Sequence, residues 1–95
     1  MFIVFLRFAA NKAKAGELMA DHNAWIERGL ADGVFLLVGT LQPGLGGALL
    51  AHDTTEDELR ARVDADPFVA ESVVAPEIMA IAPNRADERL SFLLG

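Results

Sequence analysis

The sequence of 95 residues contains no cysteine and no tyrosine. The first absence excludes disulfides, thiolate metal sites and thiol nucleophiles, and the second excludes a phenolic proton donor. Basic residues are also scarce, with eight Lys and Arg against fourteen Asp and Glu, for a net charge of −6. Nucleic acids and anionic membranes are bound by basic surfaces, so we expect neither as a partner. The two histidines lack the spacing of metal ligands and no cofactor motif is present, so we expect no metal and no cofactor.

A long hydrophobic run is missing as well. The apolar residues 1–10 are too few to span a bilayer, and they lack the charged start and the cleavage pattern of a signal peptide. We therefore expect a cytoplasmic protein. Composition is 53% hydrophobic and 23% charged, which is typical of a folded domain, and the length allows one core.

Residues 15–30 are predicted to form an amphipathic helix with an ionisable residue on its apolar face. At about 100° per residue, Trp25 and Gly29 fall within roughly 80° of the direction of His22, whereas Glu17 lies outside that arc. A buried imidazole needs a hydrogen-bond partner. His22 is thus either a core histidine bonded to a backbone carbonyl or a general acid/base beside a carboxylate.

The remaining elements follow from apolar runs and turn residues. A second helix is expected from a capping box at Thr55 to a stop near Asp66, where Pro67 follows. The predicted strands are residues 2–8, 34–41, 46–52 and 73–82, the middle two forming an antiparallel hairpin. The order strand, helix, strand, strand, helix, strand predicts an α+β, ferredoxin-like split βαβ fold (βαββαβ) with an antiparallel sheet. The apolar first strand should be central, and Pro76 should place the last strand at an edge.

Three local features leave alternatives open. Arg7, at the end of the first strand, is either a rim residue reaching water or a cation facing an anionic ligand, and the rim is the commoner case. Asp66 before Pro67 is most simply the N-cap of a short helix. The paired glycines Gly46 and Gly47 permit close approach of either a neighbouring strand or a ligand.

The strands are apolar on both faces, yet two helices cover only one face of a sheet. We therefore predict that a second copy of the chain buries the other face, giving a homodimer or a higher homo-oligomer. Residues 1–83 form the predicted domain. The tail, residues 84–95, ends in apolar side chains and is predicted to pack on the dimer partner.

Several motifs occur together in one order. They are the strand MFIVFLRF, the pattern H-x-x-W-x-x-x-G from His22 to Gly29, the strands FLLVGT and GGALLA, and the Asp66-Pro67-Phe68 tripeptide before the closing strand. Over residues 1–83 the chain resembles the YciI-like (YCII-related) family. One departure is Thr40, where many family members carry proline after the glycine.

The resemblance implies a dimeric α+β barrel with a site in which His22 and Asp66 form a pair. We interpret it as a catalytic dyad, and the alternative is a purely structural pair. The substrate-binding residues are then expected to be Arg7, Trp25, Phe35, Gly39, Thr40 and Phe68. The expected function is a small cofactor-independent enzyme, a lyase or an isomerase, performing general acid/base chemistry (isomerisation or elimination of the dehydrochlorination type) on a small cyclic or aromatic-derived metabolite. The alternative is a non-catalytic dimeric module that binds a small ligand or serves as an accessory protein.

Overall fold

The computed structural model describes residues 1–94, and Gly95, the last residue of the predicted tail, lies outside the described residues. The elements in chain order are β1 (Phe2–Phe8), a 3₁₀ turn (Lys12–Lys14), α1 (Ala15–Ala31), β2 (Phe35–Leu41), β3 (Gly46–Ala51), α2 (Glu56–Asp64), α3 (Pro67–Ala70), β4 (Val74–Ala80) and a C-terminal 3₁₀ helix (Glu88–Leu94). The predicted order of strands and helices is confirmed. The last strand is shorter than predicted, since Val73 bonds back to Phe68 O in the preceding turn.

The four strands form one antiparallel sheet in the order β2-β3-β1-β4. This is the ferredoxin-like arrangement, so the predicted fold class is confirmed. β1 is central, as its continuous apolar sequence indicated. β4 is an edge strand, where Pro76 is tolerated because one side of an edge strand needs no ladder donors.

Local capping interactions set the ends of the helices. Gly33 has φ +75° just beyond α1, the left-handed conformation that commonly closes a helix. Thr55 is the N-cap of α2, and its Oγ1 accepts a hydrogen bond of 3.1 Å from the backbone N–H of Glu58. These caps set where α1 ends and where α2 begins.

The hydrophobic core lies between the helices and one face of the sheet, here called the helix face. Alternate strand residues point into it, among them Val4 and Leu6 of β1 and Leu49 of β3. Leu59 and Val63 of α2 are fully buried against them. Burial of these side chains is the main stabilising contribution to the fold.

The opposite face of the sheet, here called the outer face, is not covered by α1, α2 or α3. Leu37 and Met79 lie on it, 60% and 50% exposed. Leu90 and Phe92 of the C-terminal 3₁₀ helix line a pocket on it together with Leu50. Within the described chain, helices are too short or too polar to cross a membrane.

Candidate active site

One face of α1 places three residues of the H-x-x-W-x-x-x-G pattern over the sheet. His22, Trp25 and Gly29 are separated by three and four positions and therefore lie on one side of the helix. A Cβ at Gly29 would overlap the ring of Phe35, so glycine lets α1 pack closely on β2. Trp25 is buried beside it, with Nε1 donating to the Arg62 carbonyl of α2 at 2.9 Å.

Asp66 lies at the junction between α2 and α3. Its backbone is extended (φ −63°, ψ 125°), as expected before a proline, and Pro67 occupies the first turn of α3. Its Oδ1 accepts a hydrogen bond of 3.0 Å from the backbone N–H of Phe68. The predicted N-cap is therefore confirmed, and it fixes the carboxylate on a rigid backbone.

The same oxygen of Asp66 contacts His22. His22 Nδ1 lies 2.8 Å from Asp66 Oδ1, although 44 residues separate the two in the chain. The His22 side chain is 12% exposed and the Asp66 side chain 0%. Since a carboxylate only accepts, Nδ1 carries the hydrogen, and Nε2 is the ring nitrogen left for another partner. Asp66 Oδ2 is buried and has no hydrogen-bond partner among residues 1–94.

The imidazole is also held by aromatic stacking. The Phe68 ring lies parallel to it, with centroids 3.9 Å apart and an angle of 3° between the planes. Trp25 lies 5.8 Å away at 22°. Asp66 thus orients His22 directly, and it also caps the short helix that holds Phe68 against the ring.

His22 opens into a cavity of about 490 Å³ between α1 and the helix face of the sheet. Its walls are mainly apolar, formed by side chains such as Leu6, Val38 and Phe68. Besides His22, polar side chains in the lining are Asn23 and Thr40, together with the Trp25 indole, whose N–H is already bonded. This volume and lining suit a small, largely apolar molecule.

A family model described as the YCII-related domain matches residues 1–81. The chain belongs to the YCII-related family. No curated protein matches the sequence significantly. Among solved structures, the chain is similar to 5-chloro-2-hydroxyhydroquinone dehydrochlorinase from Burkholderia phenoliruptrix AC1100 in complex with 2,5-dihydroxybenzoquinone. That likeness has a TM-score of 0.68 and 17% sequence identity, and covers 85% of this chain and 93% of the other. At this identity the likeness shows a shared fold.

Most residues that the sequence singled out in this YCII-related chain meet at the cavity. His22 lines it with Asp66 directly behind, and four of the expected substrate-binding residues also line it. These are Trp25, Gly39, Thr40 and Phe68.

Two of the expected substrate-binding residues lie elsewhere. Phe35 is a core residue, packed edge-on against Trp25 with centroids 5.0 Å apart. Arg7 is on the outer face, where its Nη1 lies 2.6 Å from Glu77 Oε1 of β4. Neither residue lines the cavity, because strand alternation directs Arg7 away from the helices and Gly29 admits Phe35 into the core. The rim interpretation of Arg7 agrees with its half-exposed side chain.

Sequence reasoning missed Asn23 and assigned no single role to the paired glycines. Asn23 follows His22 and lines the cavity, although it falls outside the apolar arc of α1. Gly46 meets the neighbouring strand, because a Cβ there would overlap Leu6 O. Gly47 lies on the cavity side, opposite Thr40, where a Cβ would have its nearest neighbour 3.4 Å away. Gly46 therefore allows close pairing of the strands, while the absence of a side chain at Gly47 leaves space in the cavity.

His52, the second histidine, lies outside the cavity lining and forms a T-shaped pair with Phe92, with ring centroids 5.6 Å apart. Within residues 1–94 there is no cluster of three or more His, Asp or Glu side chains that could hold a metal ion. The ionisable side chain in the cavity lining is His22, with the Asp66 carboxylate directly behind it.

Proposed function

We propose that this YCII-related protein is a small enzyme in which His22 and Asp66 act as a general acid/base dyad. The single observation that carries the proposal is the 2.8 Å contact between His22 Nδ1 and the fully buried Asp66 Oδ1, at the wall of a ligand-sized cavity. Asp66 fixes the tautomer and stabilises the imidazolium that forms when Nε2 takes a proton. Cofactor independence is part of the proposal.

The proposed reaction is an elimination or an isomerisation. Nε2 removes a proton from a carbon or a hydroxyl of the substrate, and the electron pair left behind forms a new double bond. In an elimination, the leaving group departs with its bonding electrons, for example as chloride. In an isomerisation, the same imidazolium returns the proton to another position. Neither course needs an oxidant or a reductant, because electrons are only redistributed within the substrate.

The proposed substrate is a small cyclic or aromatic-derived metabolite. The apolar walls favour a largely apolar ring, while Asn23 and Thr40 offer hydrogen bonds to its substituents. The related dehydrochlorinase, by its name, acts on a chlorinated hydroxyhydroquinone, and its structure contains a dihydroxybenzoquinone. We extend that ligand class to this chain as part of the proposal.

The proposed enzyme is a homodimer joined through the outer face of the sheet. Leu37 and Met79 are exposed there in the single chain, which leaves apolar surface for a second copy to bury. Leu90 and Phe92 of the C-terminal 3₁₀ helix border the same face. Their position supports the prediction that the tail adds to the interface.

The test of the dyad uses two variants of His22 that imitate different ring nitrogens. The amide of His22→Asn can donate to Asp66 Oδ1 in place of Nδ1 but offers nothing at the position of Nε2. The amide of His22→Gln reaches closer to the position of Nε2. Neither amide accepts a proton near neutral pH, so both variants should lose turnover by at least about 100-fold.

Chloride release from 5-chloro-2-hydroxyhydroquinone is the first assay, with His52→Asn as the control that should retain full activity. Unchanged turnover in His22→Asn would contradict the dyad. If the wild type releases no chloride but binds 2,5-dihydroxybenzoquinone, the ligand-binding module becomes the better description.

A further inference from the structure

A lysine lies against one wall of the cavity that contains His22. Lys12 Nζ is 4.6 Å from the centroid of the Phe8 ring, and Phe8 lines the cavity with 37% of its surface exposed. Among the side chains that line the cavity, none carries a permanent charge. Lys12 is therefore a cation placed beside an otherwise uncharged binding wall.

The Lys12 ammonium lies over the Phe8 ring and forms no ion pair within the described chain. Lys14, two residues further on, lies 3.9 Å from a carboxylate oxygen of Glu71. Lys12 has no carboxylate within 4.0 Å among residues 1–94. In a chain with net charge −6, a lysine without a carboxylate partner beside a cavity provides a local positive potential where an anion can bind.

The segment that carries Lys12 is tied to the loop that follows α3. Asn11 donates its backbone N–H to Ser72 O at 3.0 Å and its side-chain Nδ2 to Glu71 O at 2.8 Å. The backbone N–H of Ala9 bonds to Val73 O at 2.9 Å. Because α3 also carries Phe68, these bonds fix the position of the lysine backbone relative to the His22 wall.

We propose that Lys12 is a specificity residue that selects a ring compound bearing an anionic oxygen. This inference rests on the proposed function, since it assigns the charge of the substrate for that site. The ammonium group would attract the anion from solution and would stabilise the negative charge that grows on the substrate as Nε2 removes a proton. A cation–π contact with Phe8 holds the Lys12 ammonium at the wall, and Lys12 itself is not among the residues that line the cavity.

The experiment compares Lys12→Met with Lys14→Met. Both substitutions remove one positive charge from the same short turn, and methionine keeps an apolar stem for Phe8. Binding is measured by isothermal titration calorimetry at pH 7 with two probes, 2,5-dihydroxybenzoquinone, whose acidic hydroxyls make it an anion, and neutral hydroquinone. We expect Lys12→Met to weaken binding of the anion by about fivefold and binding of hydroquinone by less than about twofold. Lys14→Met should weaken either probe by less than about twofold.

Three results would overturn the inference. The first is that the wild-type protein binds the anion no more tightly than hydroquinone. The second is an equal loss of affinity in the two lysine variants. The third is an equal loss of affinity for the two probes in Lys12→Met. Since these are binding measurements, they are independent of the dyad test: the proposed function fails on turnover in His22→Asn. The charge preference should therefore also be measured in His22→Asn, where it should persist.

Discussion

Replacement of Asp66 separates the two contacts made by its Oδ1. That oxygen accepts from the backbone N–H of Phe68 and from His22 Nδ1. Serine is a comparable N-cap, but its shorter, neutral side chain does not reach His22. Asp66→Ser should therefore keep the cap of α3 and lose the histidine contact, whereas Asp66→Ala should lose both.

The magnitudes follow from these two contacts. A hydrogen bond to a charged group contributes about 1.5–3 kcal/mol to the free energy of unfolding, and an N-cap about 1 kcal/mol. Removing the carboxylate also removes a buried Oδ2 that has no partner among residues 1–94, which offsets part of the loss. We therefore expect Asp66→Ser to lower the free energy of unfolding by about 1–2 kcal/mol and Asp66→Ala by about 2–3 kcal/mol.

Urea unfolding followed by tryptophan fluorescence measures these differences. Trp25 is the single tryptophan and is buried next to His22. The decisive comparison repeats Asp66→Ser in a His22→Ala background. There the carboxylate is a buried charge without its partner, so Asp66→Ser should be neutral or stabilising. If the substitution costs the same in both backgrounds within about 0.5 kcal/mol, the pair is not energetically coupled and the reasoning is refuted.

Three further predictions concern the helix, the cavity and the outer face. Gly29→Ala should lower the free energy of unfolding by about 3 kcal/mol, because its Cβ would overlap the buried Phe35 ring. Gly16→Ala is the control, since its Cβ would enter open space on the same helix and should not destabilise the protein. Similar urea midpoints for the two variants would contradict this. Gly47→Ala should fold normally, since its nearest contact would be 3.4 Å, but weaken 2,5-dihydroxybenzoquinone binding by at least about threefold; unchanged calorimetric affinity would place the ligand elsewhere. Leu37→Glu should convert the proposed dimer to monomer in sedimentation velocity, and an unchanged association state would exclude this face.

Local sequence signals predicted the elements because each has a local physical cause. The restriction that Pro67 imposes on the residue before it is set by sterics within two residues, so the N-cap at Asp66 could be predicted. The central position of β1 followed from its composition, because only a strand covered on both faces tolerates so many apolar residues in succession. Gly33 ends α1 for a similarly local reason, since a positive φ at a helix end favours glycine.

The side of the sheet to which each residue points was harder to predict. Both faces of β1 are apolar in sequence, so the pattern did not indicate which face the helices cover, and Arg7 was placed among the ligand contacts. Its partner Glu77 is 70 residues away and is brought near only by the register of β1 and β4. Phe35 enters the core because Gly29 leaves room for its ring, and this tertiary contact is not visible in the local sequence pattern. The approach of Asp66 to His22 was implied by the family resemblance, and no local pattern contained it.

The arrangement around His22 bears on how the proposed base would act. Its ring is stacked on Phe68 and bonded to Asp66, and both residues belong to the same capped turn. Folding of that turn therefore orients the imidazole before any ligand arrives, so the entropy cost of positioning the base falls on folding instead of on binding. A ligand that binds in the cavity should then find Nε2 already in place. It follows that His22 should keep its rotamer in a complex with 2,5-dihydroxybenzoquinone, and a crystal structure of that complex would test this directly.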